Sequence, residues 1–175
     1  MCLLNIVEEN DATGVVKATY DEIKGMFGAV PAGLKMWSLL PDGLQHHWEG
    51  IKTSFVKDME TQKFETVLRY LVSEAKECEY CLGFNAGMLI NNFGMTQDEL
   101  ITMVKDPSTA PLDEKHTSLL LFALKVANEP TAINSADIDK LRALNISDKA
   151  IFELSYMTSY LVMSDALLTA FKVQD

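Results

Sequence analysis

The sequence predicts an all-α protein of about seven or eight helices, on three observations. Apolar residues recur every three to four positions along most of the chain, proline and glycine fall between these segments, and no segment alternates as a strand does. The 175 residues are 48% hydrophobic and 23% charged, a balance typical of globular proteins and too apolar for a disordered one. We expect a single helical domain over residues 1–175.

The first third of the chain predicts three helices. The first has apolar residues at helical spacing up to Phe27, and Gly28 is its stop signal. Pro31 can open a second, short helix. Pro41 and the two residues after it break that helix, and a third helix then runs to about Lys57.

The segment 61–92 carries one long apolar stripe and has no glycine before Gly83. A mean helix has about 11–12 residues, so we expect two helices here rather than one. A break near residues 75–79 would place Cys78 and Cys81 at the start of the second helix. The position of this break therefore matters for the chemistry of the cysteines.

Four further helices are predicted in the C-terminal half. Thr96 and Glu99 have the spacing of a capping box, which opens a short helix to about Val104. A loop with two prolines precedes a strong helix over 113–128, and helices over 135–144 and 147–172 complete the set. Nearly all of these helices have an apolar face, so we expect a homo-oligomer that buries part of this surface.

The net charge of −10 excludes several classes of partner. An acidic surface repels phosphate backbones and anionic lipids, so we expect neither nucleic acid nor a membrane as a partner. The first residues lack the basic start of a secretory signal, and the longest apolar runs are shorter than the roughly 20 residues of a membrane span. These features predict a cytoplasmic protein.

Cys78 and Cys81 form the one chemically specific motif, Cys-x-x-Cys. At positions i and i+3 of a helix, both sulfurs lie on one face, close enough for a disulfide after a small adjustment. Three interpretations remain open: a redox-active pair, a buried pair without chemistry, and half of a zinc site. No second ligand pair is visible, so we expect no metal and no cofactor.

Two local effects act on the reactivity of these thiols in opposite directions. A helix start favours the thiolate and lowers a thiol pKa. The carboxylates of Glu74, Glu77 and Glu79 would raise it if they faced the sulfurs, unless one of them acts as a proton acceptor.

The run from Glu74 to Gly87, EAKECEYCLGFNAG, resembles the active-site segment of AhpD-like proteins in the carboxymuconolactone decarboxylase family. The opening of the chain, with Tyr20, the segment 27–31 and Trp48, is similar to the peroxidase-related branch of that family. The resemblance implies an AhpD-like bundle of helices, a homo-oligomer, and reduction of a hydroperoxide by thiols that an external dithiol restores.

The resemblance also implies roles for individual residues. Cys81 takes the place of the peroxide-attacking thiolate and Cys78 that of the resolving thiol, and Tyr80 lies where the family often has Tyr or His. The chain departs from the family at the proton relay. Asn85 stands where a histidine is usual, and Thr66 stands where a glutamate is usual. Glu65 and Glu74 are the neighbouring candidates for the missing base.

Two other functions remain open. Without the relay histidine, the protein can be a helical scaffold or redox-responsive binding module. Lactone or decarboxylase chemistry is a third interpretation, which the Cys-x-x-Cys motif disfavours. Other features have structural explanations: His46 and His47 are predicted at a surface or interface, and His116 replaces the base only if the fold brings it to Cys81. Gly83 and Gly87 predict a close helix crossing.

Overall fold

The computed structural model describes residues 2–174, and within this range the chain forms nine α-helices and no strand. The predicted all-α class is confirmed, and α2 is a single turn of four residues that continues as a 3₁₀ turn. None of these helices is both long and apolar enough to cross a membrane. The helices are α1 Gly14–Phe27, α2 Ala32–Lys35, α3 Pro41–Phe55, α4 Met59–Ala75, α5 Glu79–Phe93, α6 Gln97–Lys105, α7 Glu114–Asn128, α8 Ser135–Ala143 and α9 Asp148–Ala170.

The chain divides into two compact units. The first consists of the chain up to Asp58 and from Leu167 onward, and the second is Met59–Ala166. The cysteine pair lies in the second unit, so that unit positions the candidate site. The single domain expected from the sequence stays a prediction.

The first unit is built on the packing of α1 against α3. Tyr20 and Ile23 of α1 are buried, as are Leu44 and Trp48 of α3. The structure corrects one boundary here: Pro41 is the first residue of α3, where the sequence analysis placed a break. Proline is tolerated at this position because the first backbone N–H groups of a helix have no intrahelical partner.

The second unit is built on an antiparallel pair, α4 and α5, against which α7 packs through α4. The break predicted near residues 75–79 is confirmed, since α4 ends at Ala75 and α5 begins at Glu79. The capping box of α6 is also confirmed, with the Glu99 N–H donating to the Thr96 hydroxyl and the Thr96 N–H donating to the Glu99 carboxylate. The fully buried side chains of this unit include Val67, Leu68, Val72, Leu89, Leu100, Met103 and Leu120.

Candidate active site

A tight chain reversal between α4 and α5 brings the cysteines into position. The backbone N–H of Cys78 donates to the carbonyl of Ser73 at 2.9 Å, and that of Glu77 donates to the carbonyl of Glu74 at 3.1 Å. These two bonds form a Schellman motif, which requires the residue at its C′ position to adopt a left-handed conformation. That residue is Glu77, with φ of 55°. The motif ends α4 and leaves Cys78 at the start of α5.

Cys78 and Cys81 are joined by a disulfide, with their Cα atoms 5.3 Å apart. Both residues are buried. Cys78 is the N-cap of α5, and its sulfur accepts the backbone N–H of Cys81 at 3.4 Å. The positive end of a helix stabilises a thiolate, so the reduced Cys78 sulfur sits in a position that favours its reactive form.

The acidic residues that flank the cysteines in the sequence point away from them. Glu74, Glu77 and Glu79 are all exposed to solvent. Solvent screens exposed charges strongly, so these carboxylates have little effect on the buried sulfurs. This answers the question the sequence left open, because Glu74 has the environment of a surface residue and not that of a buried base.

The carboxylate beside the disulfide is Asp165 of α9, which the sequence analysis did not select. One carboxylate oxygen of Asp165 and the sulfurs of Cys78 and Cys81 all lie within 4.8 Å of one another. Asp165 is 4% exposed, and among the described residues its Oδ2 has no hydrogen-bond partner. Burial raises the pKa of this carboxyl to about 6, against the opposing effects of a hydrogen bond with Ser73 and the charge of Lys76.

The other predicted relay residues form a separate polar chain. Arg69 donates from Nε to Asn85 Oδ1 at 3.2 Å and from Nη2 to Thr66 Oγ1 at 2.8 Å. Asn85 then donates from Nδ2 to the carbonyl of Cys81 at 2.8 Å. Asn85 is therefore held by its amide oxygen and its amide nitrogen, and it links the Arg69 guanidinium to the first turn of α5.

Glu65 belongs with this chain rather than with the sulfurs. It is 4% exposed. Burial lowers the pKa of Arg69, and the charge of Glu65 partly opposes this effect. Arg69 is thus a second residue that the sequence analysis missed, and it supplies the positive charge that Glu65 requires.

The remaining residues singled out on α5 lie on its partly exposed side. The ring of Tyr80 stacks on that of Phe84, with centroids 6.3 Å apart. The close helix crossing expected at Gly83 and Gly87 is not formed within the described chain, because no heavy atom of another part of it lies within 4 Å of where a Cβ would be. That expectation is wrong for the single chain.

His116 and His47 each have a partner of their own. His116 Nδ1 is 3.0 Å from Asp113 Oδ1 and 3.8 Å from Glu60 Oε1, so His116 does not serve as the missing base. His47 stacks on Trp37 with ring centroids 4.7 Å apart, and burial lowers its pKa to about 4.

The site offers three donors to a metal ion only when the disulfide is reduced. Cys78, Cys81 and Asp165 would then supply two thiolates and a carboxylate. A structural zinc site needs four ligands, and the described residues bring three to this point. In the disulfide form the sulfurs are bonded to each other and are not thiolate ligands.

Two solved structures resemble this one over nearly the whole chain. The alkylhydroperoxidase AhpD core of Ralstonia eutropha JMP134, an uncharacterized peroxidase-related protein, has a TM-score of 0.81 at 18% identity, covering 99% of this chain and 91% of that one. An uncharacterized peroxidase-related protein of Silicibacter sp. TM1040 has a TM-score of 0.78 at 20% identity, with the same coverage. The chain has the AhpD-like fold. No family profile matches its sequence, and no curated protein does so either.

The chain reversal between α4 and α5 generates a prediction about stability. Replacing Glu77 by glycine should raise the free energy of unfolding by about 1 kcal/mol, because glycine adopts a positive φ without the steric cost of a Cβ. Urea denaturation of the oxidised protein measures this change. Glu77→Ala is the matched control, and a gain for alanine equal to that for glycine would contradict the role of the backbone conformation.

The burial of Asp165 generates a prediction about pH. Its pKa is raised to about 6 in the folded protein, so the carboxyl favours folding at low pH and costs stability above pH 6. Asp165→Asn should therefore raise the free energy of unfolding at neutral pH by up to about 3 kcal/mol, and this gain should shrink as the pH falls toward 4. Urea denaturation at several pH values measures it, with exposed Glu153→Gln on α9 as the control. A gain that does not change with pH would refute the assignment.

Proposed function

We propose that this protein is a thiol-dependent hydroperoxide reductase that cycles Cys78 and Cys81 between dithiol and disulfide. The observation that carries the proposal is the cysteine pair itself, disulfide-bonded and buried at the N-terminus of α5. The AhpD-like fold supports it, since both similar structures are described as peroxidase-related. The geometry of the pair allows storage of two electrons, which is the number that reduction of a peroxide consumes.

In the oxidative half of the proposed cycle, the thiolate of Cys81 attacks the terminal oxygen of a hydroperoxide. The O–O bond breaks, the alkoxide leaves and takes a proton to become an alcohol, and Cys81 becomes a sulfenic acid. The sulfur of Cys78 then attacks the sulfur of Cys81. The S–O bond breaks, the disulfide forms, and the hydroxide leaves with the proton of Cys78 as water.

In the reductive half, an external dithiol restores the pair. One of its thiolates attacks Cys81, and the sulfur of Cys78 leaves as a thiolate. The second thiol of the reductant then attacks its own sulfur in the mixed disulfide, which releases Cys81 and forms a disulfide in the reductant. The proposal places the protein in the cytoplasm, where such dithiols are kept reduced.

The surroundings of the pair support distinct roles for the two cysteines. The helix N–H that Cys78 accepts favours its thiolate, the form in which it attacks a sulfenic acid. The bond from Asn85 to the Cys81 carbonyl fixes the first turn of α5 and with it the direction of the Cys81 side chain. Asn85 thus acts as a positioning residue in this proposal, and Tyr80 stacks on Phe84 in the first turns of α5.

The proposal also includes self-association, which the AhpD-like resemblance implies. Phe152, Tyr156 and Met163 of α9 are 72%, 56% and 41% exposed. Their spacing places them on one face of the helix. A contiguous apolar face of this kind is costly in water, and a second copy of the chain would bury it.

Thiol counting after a single oxidation tests the redox proposal. In a Cys2→Ser background, one equivalent of cumene hydroperoxide should consume both remaining thiols at least about 100-fold faster than it consumes free cysteine. The reason is that Cys81 lies in the first turn of α5, where the positive end of the helix favours its thiolate. Stopped-flow mixing followed by alkylation and mass spectrometry measures the loss.

The single cysteine variants separate the two roles. Cys78→Ser should retain oxidation and accumulate a sulfenic acid on Cys81 that dimedone traps, whereas Cys81→Ser should lose rapid oxidation. Oxidation of the pair no faster than free cysteine would refute the reductase proposal and favour the helical scaffold or binding module instead.

Sedimentation velocity tests the proposed self-association. The molecular mass of the sedimenting species should be a multiple of 19.5 kDa, the mass of one chain. Phe152→Glu should lower this mass toward that of the monomer, because the substitution places a charge in the apolar face. Exposed Glu153→Gln is the control next to it. A wild-type protein that sediments as a monomer at micromolar concentration would contradict this part of the proposal.

A further inference from the structure

One buried carboxylate has no role in the chemistry described so far. Asp165 comes from α9, is 4% exposed, and leaves its Oδ2 without a partner among the described residues. Buried polar atoms in folded proteins nearly always have hydrogen-bond partners, because an unpaired one costs free energy. Asp165 has one unpaired carboxylate oxygen, and one of its oxygens lies within 4.8 Å of both sulfurs of the disulfide, so its burial requires an explanation other than stability.

The groups that face Asp165 come from three elements. From α4, the side chain of Ser73 shares a hydrogen bond with it, and Lys76 just beyond α4 adds a positive charge. From the chain reversal and α5 come the sulfurs of Cys78 and Cys81. Burial raises the pKa of Asp165 to about 6, and the two polar neighbours limit that rise. The carboxyl thus changes its protonation close to neutral pH, as a general acid–base group must.

We propose that Asp165 is the proton-transfer group of the cysteine pair and takes the part that a histidine at position 85 would play. This inference rests on the proposed hydroperoxide reduction. The Asp165 carboxylate accepts the proton of the Cys78 thiol as Cys78 attacks the sulfenic acid of Cys81. The protonated carboxyl then gives that proton to the departing hydroxide, which leaves as water, and Asp165 returns to its carboxylate form. In the reductive half the transfer runs in the opposite sense, from the carboxyl to the Cys78 thiolate.

The distances suit this role. A separation of up to 4.8 Å between oxygen and sulfur is spanned by one bridging water molecule or by a small side-chain movement once the disulfide opens. Access to solvent is limited at this point because Cys78 is 2% and Cys81 7% exposed. A buried thiol that must lose its proton needs an internal acceptor, and among the described residues Asp165 is the carboxylate grouped with both sulfurs.

The oxidative test follows the lifetime of the Cys81 sulfenic acid in the Cys2→Ser background, with a chelator present to remove metal ions. In the otherwise wild-type protein, the rate of disulfide formation should rise with pH to a plateau, with its midpoint near 6. Asp165→Asn should form the disulfide at least about tenfold more slowly at pH 7 and accumulate the dimedone-reactive acid. If Asp165 acted only as a buried charge, its removal would favour the thiolate and the variant would react as fast or faster.

A second test avoids peroxide altogether and follows reduction of the Cys78–Cys81 disulfide by dithiothreitol. The rate of reduction of the wild-type disulfide is divided by the concentration of dithiothreitol thiolate at each pH. This normalised rate should fall as the pH rises through 6, because the protonated Asp165 carboxyl that donates the proton is lost. Asp165→Asn should be slow and independent of pH, at least about tenfold below the wild type at pH 5. A variant as fast as the wild type at pH 5 would show that the carboxylate merely repels the attacking thiolate, which overturns the proposal.

The two tests separate failure of this inference from failure of the reductase proposal. A wild-type pair that does not react with hydroperoxide overturns the reductase proposal, while the dithiothreitol rates still decide the role of Asp165. A reactive pair whose rates are unchanged in Asp165→Asn overturns this inference and leaves the reductase proposal standing.

Ser73→Ala provides a variant in which the carboxylate is retained. It removes a hydrogen bond that lowers the pKa of Asp165, so the midpoint of both pH profiles should move to higher pH. Glu153→Gln, exposed on the same helix, should leave the midpoint unchanged. If the midpoint in Ser73→Ala stays at the wild-type pH, the assignment is also overturned. Such a result would show that the protonation of Asp165 does not set the midpoint of the pH profile.

Discussion

The chain reversal after Ala75 is the constraint on which the site depends. Two backbone hydrogen bonds end α4, and they do so only because Glu77 accepts a left-handed conformation that most residues avoid. One residue later, Cys78 becomes the N-cap of α5. The same geometry therefore sets the separation of the two cysteines, exposes one sulfur to the helix N–H groups, and turns the flanking glutamates toward solvent.

The electrostatics of the site differ from those of the surface. The chain carries a net charge of −10, yet the glutamates closest to the cysteines in sequence are exposed and screened. Inside the second unit, the negative charge of the buried Glu65 interacts with the positive charge of Arg69. For Asp165, a hydrogen bond with Ser73 and the charge of Lys76 offset only part of the effect of burial. Burial without full compensation explains why the pKa of Asp165 rises to about 6. Glu65 thus interacts with the charge of a guanidinium, whereas burial dominates the environment of Asp165.

The residues that the sequence predicted well are those defined by local rules. Helical spacing, the break before Cys78 and the capping box at Thr96 depend on neighbours within one or two turns, so a single sequence reveals them. Asp165 and Arg69 were missed because their roles depend on which helix packs beside which. A signal for Asp165 did exist, since it is the sole charged residue in the otherwise uncharged run 154–171. A lone carboxylate in an apolar helix is expensive to bury, and that cost points to a function.

Proton transfer by Asp165, as proposed above, would give the site a different charge from proton transfer by an imidazole at position 85, even at a similar pKa. A histidine with a pKa near 6.5 is a cation when protonated and is neutral otherwise, so it never repels a thiolate. Asp165, with a pKa of about 6, is neutral when protonated and negative otherwise, so at neutral pH it opposes the thiolate that the N-terminus of α5 favours. The disulfide is neutral and avoids this repulsion. A carboxylate in this position therefore favours the oxidised form of the pair as the pH rises above 6, an effect that a histidine on α5 would not produce.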